Sequence, residues 1–187
     1  MAKINRVAIT GASGLIGSAL VGKLKESGCT VHRLVRRPTV NAEEIFWNPL
    51  ESKVDLEALA GVDAIIHLAG AGVGDKRWTK KYKSEILNSR LLGTTTIANA
   101  VSEIKPKVFI SSSAIGWYGE TGNRAVNESD RGGDDFLAAV CREWEAAADI
   151  AGNVRTAKIR TGLVLDPTGG ALGRMLPLFR FGLGGKL

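Results

Sequence analysis

Three glycines in Thr10-Gly11-Ala12-Ser13-Gly14-Leu15-Ile16-Gly17 are the first residues whose spacing could do chemistry. They follow the apolar run Val7-Ala8-Ile9 and precede an amphipathic segment. In a strand–turn–helix reading each glycine has a task. Gly11 allows a tight exit from the strand, Gly14 leaves the backbone bare for a pyrophosphate, and Gly17 lets the helix pack closely against the sheet. The helix N-terminus then offers unpaired N–H groups to the phosphates. A glycine-rich loop without a ligand would have the same composition. The motif follows the first expected strand, and the apolar stripe Leu15, Ile16, Leu20, Val21 and Leu24 stands behind it. Both features favour a dinucleotide turn, although the spacing Gly-x-x-Gly-x-x-Gly differs from that of many dehydrogenases.

The second candidate is the pair Arg36-Arg37, which ends the expected strand Cys29–Val35. In a dinucleotide-binding βαβ unit an acid at this place bonds the ribose hydroxyl of NAD, whereas arginine accommodates the 2′-phosphate of NADP. Val35 and Arg36 hold the position and no carboxylate does, so NADP is expected ahead of NAD. The same arginines would also suit a solvated strand end. His67 lies inside an apolar strand and reads as a packed, hydrogen-bonded core residue. Cys29 and Cys141 show no metal-ligand spacing, and no metal site is expected. Cys141 reads as core filling, and Glu143 and Glu145 read as solvated or capping charges.

These residues need a scaffold. Expected helices cover Leu15–Ser27, Asp55–Leu59, Lys80–Glu103 and Asp135–Ala151. Expected strands begin at Val7 and Cys29, with a short one at Ile45-Phe46-Trp47. Val62–Gly70 is apolar almost throughout, as in a parallel strand buried on both faces. Its small terminal residues Ala69 and Gly70 keep the strand end open for a cofactor. Lys107–Ser113 and Thr156–Arg160 complete the set, the last extended by Gly162–Leu165. Strands alternating with helices predict an α/β fold with a doubly wound parallel sheet and helices on both faces. The polar, glycine-rich stretch Ala114–Asp134 is a long loop, a length that marks functional or mobile segments.

Composition narrows the class. The 187 residues are 44% hydrophobic and 24% charged, as in a globular protein. The net charge of +6 comes from scattered basic residues with no nucleic-acid motif, so no nucleic-acid partner is expected. No run approaches the ~18 apolar residues of a membrane span. Two cysteines make no disulfide framework, and a reducing, cytoplasmic setting is expected.

Thr10–Gly17, His67-Leu68-Ala69-Gly70 and Ser111-Ser112-Ser113 followed by Tyr118-Gly119, in that order, resemble the extended short-chain dehydrogenase/reductase superfamily of NAD-dependent epimerase/dehydratase type. Trp117-Tyr118-Gly119-Glu120, Phe136-Leu137, Trp144-Glu145-Ala146-Ala147 and Arg160–Leu165 resemble its sugar-nucleotide-epimerase-like subgroup, some members of which are labelled cell-division inhibitors. The resemblance implies a Rossmann-type domain that binds NAD(P). It places Gly11, Ala12, Ser13, Gly14, Leu15, Ile16 and Gly17 at the pyrophosphate, Arg36 and Arg37 at the adenosine ribose, and Leu68, Ala69 and Gly70 at the strand end beside the cofactor. It implies Ser113 as the active-site serine that orients a substrate hydroxyl or carbonyl. The superfamily's chemistry rests on Tyr-x-x-x-Lys, and alignment through Glu145 puts Leu137 and Cys141 at those positions. Tyr118 is the remaining phenol near the site. Trp117 and Tyr118 also read as aromatic walls.

The resemblance further implies a substrate-binding lobe longer than the chain carries. Residues 1–165 are expected to form the NAD(P)-binding domain and 166–187 the start of an incomplete lobe. A piece of a longer protein and a protein that has lost the lobe both account for this. Two functions follow as expectations. One is an NADP-binding epimerase- or reductase-like protein acting on a small hydroxyl, carbonyl or nucleotide-linked substrate. The other is a non-catalytic NADP-sensing regulator acting through a protein partner, with cell division as a candidate process. A homodimer is compatible with either.

Overall fold

A computed structural model describes residues 3–185 of the chain. The outermost positions of the two expected units, 1–2 and 186–187, lie outside the described residues. The strands are β1 Arg6–Thr10, β2 Thr30–Val35, β3 Glu44–Asn48, β4 Lys53–Val54, β5 Ala64–His67, β6 Val108–Ala114 and β7 Thr156–Thr161. The helices are α1 Leu15–Glu26, α2 Leu56–Leu59, α3 Lys80–Ile104, α4 Phe136–Ala148 and α5 Gly170–Arg180. The sheet order is β4-β3-β2-β1-β5-β6-β7, and only the β3–β4 pair is antiparallel. The chain thus starts in the middle of the sheet, builds outward through β2 and β3, and then crosses to β5 to build the other way. That reversal opens a crevice between the C-terminal ends of β1 and β5, the place where open α/β sheets bind ligands.

The pleat sends alternate residues to opposite faces. Val7, Ile9, Val31, Ala64 and Ile66 face Leu20, Val21 and Leu24 of α1. Ala8, Leu34, Ile65 and Phe109 face the other way, onto Ile97, Ala98 and Val101 of α3 and Ala148 at the end of α4. Both faces are apolar because helices cover both. Among the described residues no helix is long and apolar enough to cross a membrane.

Helix starts differ in a way that matters for the site. Thr79 accepts a hydrogen bond from Tyr82 N at the start of α3, and Asp135 accepts one from Ala138 N at the start of α4. Helix α1 starts on Gly14 with no side-chain cap and no acidic residue in its first turn. Its leading N–H groups are left for something else to satisfy.

The structure departs from the sequence reading at several elements. Strand β4 is a two-residue antiparallel addition that no pattern announced. Gly162–Leu165 does not extend β7, because the ladder stops at the pair Ala114–Thr161. The loop after β6 opens with a 3₁₀ turn over Ile115–Tyr118. Helix α5 forms where only a mixture of apolar residues and glycines was legible. It returns across the top of the sheet: Arg174 donates to Gly74 O at 2.5 Å and to Asp75 Oδ1 at 2.7 Å, in the loop after β5. At its start, a Cβ on Gly169 or Gly170 would lie 3.2 Å from a Leu15 methyl.

Gly17 also has a different task from the expected one. A Cβ there would stand 2.9 Å from the Gly11 carbonyl carbon and the Ala12 Cα, and closer still to the Gly11 oxygen. It therefore lets α1 approach the turn itself rather than the sheet. Gly22 lies in the same helix, and a Cβ on it would meet nothing within 4 Å. Gly17→Ala is expected to destabilise the fold by roughly 2–3 kcal/mol, whereas Gly22→Ala is expected to stabilise it by about 0.5–1 kcal/mol. Denaturant unfolding of the two variants side by side checks the contrast.

Candidate functional site

The crevice is stitched by one hydroxyl. Thr10, at the end of β1, accepts hydrogen bonds at Oγ1 from Leu68 N at 3.1 Å and Ala69 N at 3.2 Å. The same oxygen lies 2.7 Å from His67 Nδ1. With two N–H groups already donated to it, Thr10 must donate its own proton to Nδ1. His67 is then neutral with its proton on Nε2, an assignment drawn from the hydrogen-bond pattern. Nε2 has no hydrogen-bond partner and lies near Gly93, with the ring edge-on to Trp47. Burial holds the His67 pKa down at about 3. The histidine is a core residue, as the sequence suggested.

Gly11 sits above this stitch at φ +67°, and a Cβ on it would come 2.9 Å from Ala69 N. Its carbonyl accepts from Gly14 N at 3.0 Å. Gly14 itself is extended at φ −76°, and a Cβ there would meet only the Gly11 oxygen, at 3.3 Å. Packing inside the protein therefore demands Gly11 and Gly17 strictly and Gly14 weakly. The turn Gly11–Gly17 and the strand end Leu68–Gly70 come together across the crevice, and the uncapped start of α1 lies beside them. A pyrophosphate fits this cradle: bare backbone at Gly14, leading N–H groups without a side-chain cap, and no acidic residue in the first turn of α1.

The sequence assigns two arginines to the adenosine ribose, and the structure separates them. Arg37 donates to Glu44 from both ends of its fork, at 2.6 and 2.8 Å. Arg36 is exposed and enters no ion pair among the described residues. A third arginine escaped the sequence reading. Arg90 of α3 donates to Ala71 O at 2.9 Å and Ile86 O at 3.1 Å, and its guanidinium lies 4.9 Å from the Trp144 ring centre. A Cβ on Gly70 would be 3.4 Å from it. Burial lowers its pKa from the ordinary arginine value, and no carboxylate pairs with it among the described residues. The signal was available: Arg90 stands four residues after Ile86 on the buried stripe of α3.

Ser113 lies at the end of β6, where its hydroxyl donates to Glu145 Oε1 at 2.5 Å. Glu145 is 6% exposed, so it is neither solvated nor a cap. It receives a second partner from β7, with Arg160 Nε 2.9 Å from Oε1 and Nη2 3.0 Å from Oε2. Arg160 Nη1 also donates to Tyr118 OH at 3.0 Å, and its guanidinium lies 3.9 Å from the Trp117 ring centre. Glu145 and the bond to Tyr118 raise the Arg160 pKa, keeping it charged. The two expected catalytic residues are thus joined through an ion pair rather than by contact. Beside them opens a cavity of about 730 Å³, with Tyr118, Glu128, Lys158 and Arg160 in its wall.

Leu137 and Cys141 occupy the helix positions where the tyrosine and lysine of the superfamily would stand. They pack under the 3₁₀ turn, with a Cβ on Gly116 lying 3.3 Å from Leu137 Cβ and 3.8 Å from Cys141 Sγ. Burial pushes the Cys141 thiol up, away from thiolate chemistry. This stretch of α4 is apolar packing.

A sheet that reverses order beside a glycine turn and an uncapped helix defines a Rossmann-type α/β protein of the short-chain dehydrogenase/reductase kind. The chain belongs to the NAD dependent epimerase/dehydratase family, whose model matches residues 7–136. It is 45% identical over 184 residues to an epimerase family protein of Mycobacterium leprae, covering 97% of this chain and 60% of that one. The human epimerase family protein SDR39U1 is 34% identical over 188 residues, covering 97% of this chain and 62% of that one. The crystal structure of a nucleoside-diphosphate sugar epimerase from Corynebacterium glutamicum superposes with a TM-score of 0.85 at 39% identity, covering 99% of this chain and 39% of that one. Human SDR39U1 isoform 2 with NADPH also gives 0.85, at 34% identity, covering 96% and 61%. The chain spans about 60% of the length of the curated relatives it matches.

Two outcomes test the geometry. Glu145→Ala leaves the Arg160 charge without its acid in a largely buried place, an expected loss of about 3 kcal/mol. Ser113→Ala leaves that pair intact and is expected to cost about 1 kcal/mol. Unfolding free energies compare them. The unfolded chain protonates His67 below about 6.5, while the folded chain refuses the proton until about 3. Stability should fall as the pH drops through that window, by about 1.4 kcal/mol per unit from this residue alone. His67→Gln should flatten the slope between pH 6.5 and 4.

Proposed function

We propose that the chain is the nucleotide-binding part of an NADP-dependent, epimerase- or reductase-like protein acting on a small hydroxyl or carbonyl compound, free or nucleotide-linked. The observation that carries it is the cradle at Gly11–Gly17, with Gly14 open to a ligand and α1 lacking a side-chain N-cap. The bound NADPH of human SDR39U1 supports the nucleotide. In this reading Gly11–Gly17 hold the pyrophosphate and Leu68–Gly70 line the opposite wall. Arg90, a half-buried cation, lies beside Gly70 on that wall. When bound, the nicotinamide supplies hydride transfer. Ser113 orients the substrate oxygen, and Glu145 and Arg160 hold Ser113 and Tyr118 in place. Residues up to 165 bind the nucleotide, and those from 166 begin the substrate side. The free thiols Cys29 and Cys141 fit a cytoplasmic setting.

A second reading has its own observation. Leu137 and Cys141 supply neither a phenol nor an amine, which favours a protein that senses NADP and acts through a partner without turnover. NADPH oxidation over a panel of carbonyl compounds and sugar nucleotides separates the two.

Binding is tested first. Calorimetry is expected to show NADPH tighter than NADH, and Arg36→Ala to weaken NADPH roughly tenfold while sparing NADH. An equal loss for both nucleotides would remove the phosphate from Arg36, and no binding of either would end the reading.

A further inference from the structure

One of the two arginines assigned to the 2′-phosphate is held by an acid outside the usual place. Glu44 opens β3, beside Arg33 of β2, whereas the discriminating acid of dinucleotide folds stands at the end of β2. Its side chain is 4% exposed, while that of Arg37 is 54% exposed. Both Glu44 oxygens are taken by Arg37, and Oε2 also accepts from Val40 N at 3.0 Å. Arg37 Nη1 donates further to Pro38 O at 2.9 Å. The Nε edge of the guanidinium remains open, but the positive charge behind it is already matched. These bonds hold the Glu44 carboxyl down at about 2, so the match persists at every working pH. Arg36, one residue earlier, carries the unmatched charge.

We propose that Glu44 is a selectivity-determining residue that withholds Arg37 from the nucleotide's 2′-phosphate and leaves Arg36 as its single effective cation. This rests on the NADP reading above. Two arginines in sequence then act as one, and the preference for NADPH over NADH is smaller than the motif suggests.

Calorimetry of the whole chain with NADPH and NADH tests it. Glu44→Gln should tighten NADPH roughly fivefold, the scale expected for removing a unit charge near a dianion across partly solvated space, and should leave NADH unchanged. The double variant Glu44→Gln/Arg37→Ala should lose that gain. Arg36→Ala alone, which leaves Glu44 untouched, should bring NADPH down to the affinity of NADH. Unchanged or weaker NADPH binding by Glu44→Gln overturns the proposal, as does an equal change for both nucleotides. So does a gain that survives in the double variant, or a residual NADPH preference in Arg36→Ala. An unsubstituted protein that binds neither nucleotide removes the NADP reading itself and this proposal with it, an outcome distinct from the others because it precedes any substitution.

Discussion

The hydrogen bonds gathered at Thr10 Oγ1 are the constraint on which the crevice depends. One hydroxyl ties the end of β1 to the first residues beyond β5 and to the ring of His67. N–H groups just beyond a strand have no ladder partner and need another acceptor when they are buried. Here those of Leu68 and Ala69 are captured, and the wall they form stands where a side chain on Gly11 would strike it. The turn, the wall and the helix start are therefore tied to one another by contacts within the chain.

A second polar cluster lies beside α4. The superfamily's helix would bring a phenol and an amine to the serine. This chain brings Leu137 and Cys141 into packing and draws its charges from farther away, Glu145 one turn on and Arg160 from the next strand. The pair is costly to desolvate, and only dense hydrogen bonding offsets that cost. Glu145 accepts three bonds, and Arg160 reaches four acceptors between two aromatic rings. The arrangement fixes the position of Ser113 and Tyr118 firmly and moves the hydroxyl's proton toward a carboxylate.

Much of the fold was legible because it is local. Glycine spacing, near-continuous apolar strands and the stripe of α1 each depend on neighbours in sequence. The parts that were missed depend on distant partners. Glu145 and Arg160 are 15 residues apart, and Arg174 finds Asp75 across 99. No local pattern marks a buried acid as paired. The bond between Arg37 and Glu44 spans only seven residues, yet it turns on a loop geometry that composition does not specify. Helix α5 escaped for a different reason. Gly170, Gly173 and Pro177 lie inside it, and each disfavours a helix intrinsically. Packing against Leu15 and the clasp of Arg174 on the β5 loop accompany its formation. The two residues of β4 are too few for any periodicity to show.

The neutral ring beneath the turn has a consequence for how the crevice behaves across the physiological range. Buried imidazole that stays unprotonated, and a glycine backbone that has nothing to ionise, give a floor whose electrical character is constant from mild acid to mild base. Any acid–base sensitivity of a nucleotide held there has to arise from groups other than this floor.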